Sequence, residues 1–317
     1  MTGKQIKTIN QILTKQVDKW LESIDDEELR KNAKRDVIVT GGSIASMLLG
    51  EEVNDYDLYF KTYDTTLAMA KYYLEKFKAG RTAVQGGVQY EMFVEELHDT
   101  LNRKRIRMVV KSAGVAGEEQ SKDYQYFETQ EGDTPEAGAY LDEAYSNLPA
   151  EGNVSEEARP EKPDFHPVFL SSNAITLKGG IQIIIRFYGG PDAIHENFDF
   201  VHCMNYWTPK EGVVVNQDSL LALMSKTLVY RGSLYPVCSV FRAKKFILRG
   251  WKINAGQYLK MCLQISKLDL SNPLILEEQL TGVDVAYFQE VIQKAKQPDK
   301  DYIDTAYLME IVNRMFD

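Results

Sequence analysis

The sequence predicts an α+β fold, a mixed sheet with flanking helices followed by an all-helical C-terminal domain. Three observations carry this. Apolar stretches of strand length, bounded by glycine-rich turns, alternate with helical patterns as far as Cys203. From Gln217 onward the apolar spacing is helical throughout. The 317 residues are 44% apolar and 26% charged, enough apolar material for a sizeable core; collagenous, coiled-coil and wholly disordered classes are excluded.

Taken in order, Ile6, Ile9, Leu13, Val17, Trp20 and Ile24 keep the three-and-four spacing of an amphipathic helix. A charged helix is expected over 27–34. The register then changes to an apolar strand over 36–39, ended by Thr40-Gly41-Gly42. Helices are expected over 43–49 and 65–77, and strands over 55–60, 90–94 and 106–110. Residues 174–177 and 180–187 read as a hairpin around Lys178-Gly179, and 197–203 as a further strand. The tail predicts helices over 218–228, 236–249, 255–266, 273–280, 284–295 and 302–316. This places a catalytic-type domain at 1–216 and a helical domain at 217–317.

Charge is unevenly spread. Residues 112–165 carry fourteen acidic side chains against Lys122, Arg159 and Lys162, a net −11. The whole chain is −9, so the remainder is +2 and open to a nucleotide ligand despite a pI near 5.2. The segment is rich in Gly, Ser, Glu and Pro and poor in aliphatic residues, the composition of a mobile acidic insertion. It is a candidate for binding a protein partner or for masking the rest of the chain. No apolar run nears the roughly 20 residues of a membrane helix, so no membrane partner is expected. The N-terminus lacks the apolar centre of a secretory signal, and Cys203, Cys238 and Cys262 form no CxxC pair. A cytoplasmic location is expected, with the cysteines as small buried side chains.

The informative stretch runs from Val37 to Phe60. A strand ends in Gly41-Gly42-Ser43, a short helix follows, and the next strand opens Asp55-Tyr56-Asp57. Glycines let backbone approach a phosphate, and Ser43 sits where a helix begins, with its hydroxyl beside free backbone N–H groups. Asp55 and Asp57 share one face of a strand because side chains alternate. Two such carboxylates suit Mg²⁺, which prefers oxygen ligands. A third carboxylate, to activate a hydroxyl or complete a metal site, is offered by Asp199 between Phe198 and Phe200.

On Gly42-Ser43, Asp55, Asp57 and Asp199 the sequence resembles the DNA polymerase beta-like nucleotidyltransferase superfamily. The stretches Asn173-Ala-Ile-Thr-Leu, Gln182-Ile-Ile-Ile-Arg-Phe-Tyr-Gly and Asn197-Phe-Asp-Phe-Val-His also resemble bacteriophage members. The resemblance implies Mg²⁺ or Mn²⁺ at Asp55, Asp57 and Asp199, an NTP substrate, and transfer of NMP to an acceptor hydroxyl. It also implies a host cytoplasm if the chain is viral. Asp199 lies 142 residues beyond Asp57, a wide gap unless the insertion is discounted.

Arg242, Lys245 and Arg249 share a helix face by their spacing, and Arg242 and Lys245 are the expected nucleotide contacts, Lys245 first. His202 is expected to be buried and structural, and His166 and His195 to lie in loops. No GxSxG elbow or HExxH pair is present. The acceptor is a short RNA end, a nucleotide or a protein side chain. Duplex DNA is not expected, and the −11 insertion predicts weak binding to long nucleic acid. The alternative is a catalytically inactive binding or assembly protein of a bacteriophage on the same scaffold.

Overall fold

The computed structural model describes residues 3–79, 89–98, 102–113, 123–124, 165–171, 173–272, 275–276 and 279. Two helices open the chain, α1 (Ile6–Glu22) and α2 (Glu27–Asp36). The predicted stripe of α1 is the buried one: Ile9, Leu13, Val17, Trp20 and Leu21 face inward. The Asp26 side chain caps α2 by accepting from the Leu29 N–H, which satisfies a donor the helix itself leaves open.

The strands β1 (Val37–Thr40) and β2 (Tyr56–Phe60) then flank α3 (Gly42–Leu49). After α4 (Tyr63–Ala79) come β3 (Gln89–His98), β4 (Lys104–Ala113) and β5 (Asp123–Tyr124), an antiparallel three-stranded sheet. The remaining strands are β6 (Pro167–Leu170), β7 (Ala174–Leu177), β8 (Ile181–Tyr188), β9 (Tyr206–Thr208) and β10 (Gly212–Val214). They join β1 and β2 in a seven-stranded mixed sheet of order β10-β9-β1-β2-β8-β7-β6. Only β2 and β8 are parallel; the other pairs are antiparallel. The short α5 (Pro191–His195) follows β8, and α6 (Gln217–Ser225), α7 (Pro236–Leu248) and α8 (Ala255–Ile265) form the helical part after the sheet.

The main core lies between the sheet and helices α1, α2, α3 and α4. Val37, Val39, Leu58, Phe60, Ile181, Ile183 and Ile185 are fully covered there. Each such side chain contributes roughly 1.5–3 kcal/mol by leaving water. Two polar features sit inside. The Trp20 indole donates to the Tyr73 hydroxyl at 2.8 Å. The buried Asp36 carboxylate accepts from Arg35, Thr62 and Thr65, which hold its pKa down near 2 with Arg35 the largest influence. A second cluster joins α3 to the helical part through Ala45, Phe200, Leu223, Leu228, Tyr230, Trp251 and Met261.

Three expectations are corrected. Residues 197–203 are no strand. The Asn197 amide donates to the carbonyls of Ala193 and Ile194, tying the segment to the end of α5. Only a single bridge, Phe200 to Tyr230, forms before a 3₁₀ turn at Val201–Cys203. His195 is no loop residue: it closes α5 and is buried. Of the cysteines only Cys238 is fully buried; Cys203 is partly so and Cys262 is exposed. The strands β6, β9 and β10 are too short for a periodic signal and were not anticipated. The helices expected over 284–295 and 302–316 lie outside the described residues, as does most of the acidic insertion. Among the described residues no helix is long and apolar enough to cross a membrane.

Candidate functional site

The site is built where β1 ends. Antiparallel pairing sets Thr40 opposite Asp57, and parallel pairing sets Asp57 opposite Gln182 on β8. Asp57 is therefore held by strands on both sides. Gly41 follows with φ +95°, and its N–H donates to the Cys203 carbonyl at 3.2 Å. A Cβ at Gly41 would come within 2.8 Å of Asp57 Oδ2, so a side chain there is barred both by backbone conformation and by the carboxylate. A Cβ at Gly42 would meet nothing within 4 Å, leaving open space beside the first turn of α3. In that turn Ser43 is buried and its Oγ has no hydrogen-bond partner. A buried hydroxyl without a partner costs about 1–3 kcal/mol, a cost a bound acceptor would remove.

Asp55 immediately precedes β2, with the Tyr56 N–H anchored on the Gly180 carbonyl at 2.8 Å. Burial pushes the Asp55 carboxyl above its usual range, while the charge of Lys245 pulls it back. Asp199 lies on the far side, against the helical part: its backbone carbonyl accepts from the Arg231 N–H at 2.9 Å. Arg242 donates to Asp199 Oδ2 at 3.0 Å. Cys203 feels both Asp199 and Asp57, which add to the burial that pushes its thiol well above the usual range. Cys203 thus lies within the field of both carboxylates.

The spacing of Arg242, Lys245 and Arg249 along α7 acquires a meaning here. Arg242 meets Asp199, Lys245 acts on Asp55, and Arg249 donates to Glu51 at 3.0 Å. Lys226 joins Glu51 at 3.0 Å from the other side. Glu51, at the end of α3, was not anticipated; it sits in a run of two glutamates with no sequence signal of its own.

Among the described residues no three carboxylate, imidazole or thiol groups are grouped as a metal site. The structure brings Asp55 and Asp57 to one strand end beside Gly41-Gly42-Ser43 and gives Asp199 to Arg242. As an oxygen-only pair, Asp55 and Asp57 fit a hard divalent cation. Ser43 and the open space at Gly42 fit a phosphate.

His202 is buried, as expected. Its ring packs 4.3 Å from Trp251 and 4.6 Å from Phe246, centroid to centroid, and neither nitrogen has a hydrogen-bond partner. His195 Nε2 lies 2.8 Å from Thr40 Oγ1, whose own proton goes to the Asn205 carbonyl. The imidazole is therefore the donor of that pair. His166 immediately precedes β6, and its carbonyl accepts from the Lys178 N–H at 3.0 Å. None of the three belongs to the carboxylate cleft as a base.

Comparison with known proteins adds two findings. Among solved structures, a Thermotoga maritima CCA-adding enzyme complexed with tRNA is 14% identical, with a TM-score of 0.37 over 94% of this chain and 54% of that one. A CCA-adding enzyme with CTP is 15% identical, with a TM-score of 0.37 over 93% and 52%. The chain spans about half the length of these enzymes. No curated protein matches it significantly. The family model described as Gabija anti-defense 2 (Gad2) matches residues 11–226, from α1 through the strand-glycine-helix-carboxylate unit to the end of α6. That stretch is more than half of the chain, and the chain belongs to the Gabija anti-defense 2 family.

Proposed function

We propose that this chain is a metal-dependent nucleotidyltransferase that moves an NMP from an NTP to an acceptor hydroxyl. The reading rests on one observation above the others: Asp55 and Asp57 stand at a strand end beside the buried, partnerless Ser43 hydroxyl and the open side of Gly42. A divalent cation held by Asp55 and Asp57 would supply charge neutralisation for the triphosphate.

The chain's own residues do the rest. The first turn of α3 presents backbone N–H groups and the Ser43 hydroxyl to phosphate oxygens. Asp55, Asp57, Asp199 and Glu51 are balanced by Arg242, Lys245, Arg249 and Lys226, so added positive charge leaves the cleft attractive to an anion. Lys245, whose charge acts on Asp55, meets the phosphates, and Arg242, which donates to Asp199, supports it. Asp199, oriented by Arg242, accepts the proton of the acceptor hydroxyl as the new oxygen–phosphorus bond forms and pyrophosphate leaves. The acceptor is a short RNA end, a nucleotide or a protein side chain, and the transfer serves the anti-defense role that the family name carries.

The test is incubation of the purified chain with α-labelled NTPs, Mg²⁺ or Mn²⁺ and a host lysate, reading which species becomes labelled. Asp57→Ala should abolish labelling; equal labelling by that variant overturns the assignment. A second reading, a catalytically inactive binding protein of a bacteriophage, is favoured by the Asp199–Arg242 pair, which occupies the third carboxylate. It predicts NTP binding without label transfer.

A further inference from the structure

Arg186 carries a charge that the carboxylate cleft does not use. It stands where β8 bulges: the N–H groups of Ile185 and Arg186 both donate to the Asn173 carbonyl, at 2.9 and 3.3 Å. A bulge re-aims the side chains beside it. The Arg186 side chain is half-buried and hydrogen-bonds to neutral groups only. Its Nη1 donates to Asn173 Oδ1 at 3.2 Å and its Nη2 to the Tyr235 hydroxyl, while Nε is buried without a hydrogen-bond partner. Among the described residues no carboxylate forms an ion pair with it. Arg105, from β4, is 9% exposed, and its Nη1 donates to the Arg186 carbonyl at 3.0 Å. The guanidinium carbons of Arg105 and Arg186 lie 5.0 and 5.6 Å from the centroid of one ring, Phe187. Two cations gathered at one ring repel each other, and burying a charge is costly unless an opposite charge answers it. An anion at Arg186 relieves both costs.

Two elements lead from here to the carboxylates. Gln182, opposite Asp57, stands four residues before Arg186 on β8, roughly 13 Å at the rise of a strand. Tyr235 is the N-cap of α7 and precedes Arg242, the partner of Asp199, by seven residues, roughly 10 Å along the helix. The positive end of α7 adds to the field at Arg186. The guanidinium fork suits a carboxylate or a phosphate, and the spacing selects between them. A nucleic-acid strand whose terminal hydroxyl reaches Asp55 and Asp57 has phosphates at regular intervals behind it; an acceptor side chain on a protein has none.

We propose that Arg186 and Arg105 form a second anion subsite, which holds a backbone phosphate of a short RNA end while the terminal hydroxyl reaches the Asp55–Asp57 cleft. The role of that RNA as acceptor rests on the nucleotidyltransferase reading; the phosphate subsite itself does not.

The test is fluorescence anisotropy of the full chain with fluorescein-labelled tetrauridylate, in EDTA and without NTP, so that binding is read apart from transfer. Wild type and Asp57→Ala should both bind. Arg186→Met should lower affinity ~10-fold or more and flatten the log–log salt dependence by roughly 0.7, the share of one phosphate contact. Its thermal melt should be unchanged or raised, because methionine brings no charge to bury. Arg186→Lys keeps the charge and loses the fork, so it carries the same test with a smaller loss of affinity. Equal binding by both Arg186 variants, or no binding by wild type, overturns the proposal. Equal competition by oligoglutamate overturns it in favour of a general anion patch, and equal competition by inorganic phosphate in favour of a free-phosphate site. Arg186-dependent binding together with RNA that is never labelled by NTP and Mg²⁺ leaves the subsite standing and overturns the transfer reading alone.

Discussion

On the sheet, Val37, Leu58, Phe60, Ile181, Ile183 and Ile185 are fully covered, whereas in the helical part Met224, Leu248, Leu259 and Leu263 are each more than half exposed. Both regions are equally apolar in kind, yet one spends its apolar side chains on a core and the other displays them. On the sheet, pairing on both sides holds Asp57 between β1 and β8. The helices α6 and α8 bury only their inner rows, and their outer rows stay exposed. The same division appears in charge: the carboxylates come from the sheet side and α3, and the cations that meet them come from the stretch around α7.

The contrast can be broken by substitution. Ile183→Ala, at the sheet centre, should cost about 4 kcal/mol of unfolding free energy, read as a fall in denaturant midpoint at constant slope.

The buried histidines give the next largest effect. Burial lowers the pKa of both His195 and His202 to about 4, against 6.5 when unfolded. Around His202 the charges of Asp199 and Glu51 oppose that shift and Arg249 adds to it. Because the folded pKa is depressed, the unfolded chain takes up the protons first as pH falls. Stability is therefore complete above pH 6.5 and lost progressively towards pH 4, by about 2 kcal/mol per histidine at pH 5. Denaturant melts between pH 7 and 5 should show this loss, and His202→Leu should halve its slope. An unchanged slope would mean that His202 is not buried as described.

Gly41→Ala sharpens the site half of the comparison. Forcing a Cβ into a backbone conformation of φ +95° and ψ −147°, which glycine alone adopts readily, should cost roughly 1–3 kcal/mol and lower the melting temperature. The added Cβ, 2.8 Å from Asp57 Oδ2, should displace that carboxylate and cut any NTP-dependent labelling ~10-fold or more. Leu259→Ala, in the exposed row, should change stability by no more than about 0.5 kcal/mol. A loss near that of Ile183→Ala would show that the row is covered.

Much of the framework was legible because it depends on local period. The helix of α1, the charged α2, the β7–β8 hairpin and the three described tail helices came within a few residues of their predicted bounds. What misled was the alternation Phe198-Asp199-Phe200-Val201-His202. It looks like a strand, but Asn197 ties it to α5 and the 3₁₀ turn buries Phe200, Val201 and His202 together against the aromatic cluster. Strands of three residues such as β9 and β10 carry too few positions for a period to register. The cations were only half read: the face shared by Arg242, Lys245 and Arg249 was visible from spacing. That they would meet Asp199, Asp55 and Glu51 was not.

By itself the sequence determined the strand–glycine–helix–carboxylate order and the helical repeat that relates Arg242 to Lys245. Each follows from alternation along a strand or from helical repeat, which act over a few residues. Tertiary structure alone decided that Asp199 faces Arg242, that Glu51 joins Arg249 and Lys226, that Ser43 Oγ is buried without a partner, and which leucines stay outside. Those outcomes depend on groups 43, 175 and 198 residues apart in the chain being brought together, and no local period encodes a contact over such distances.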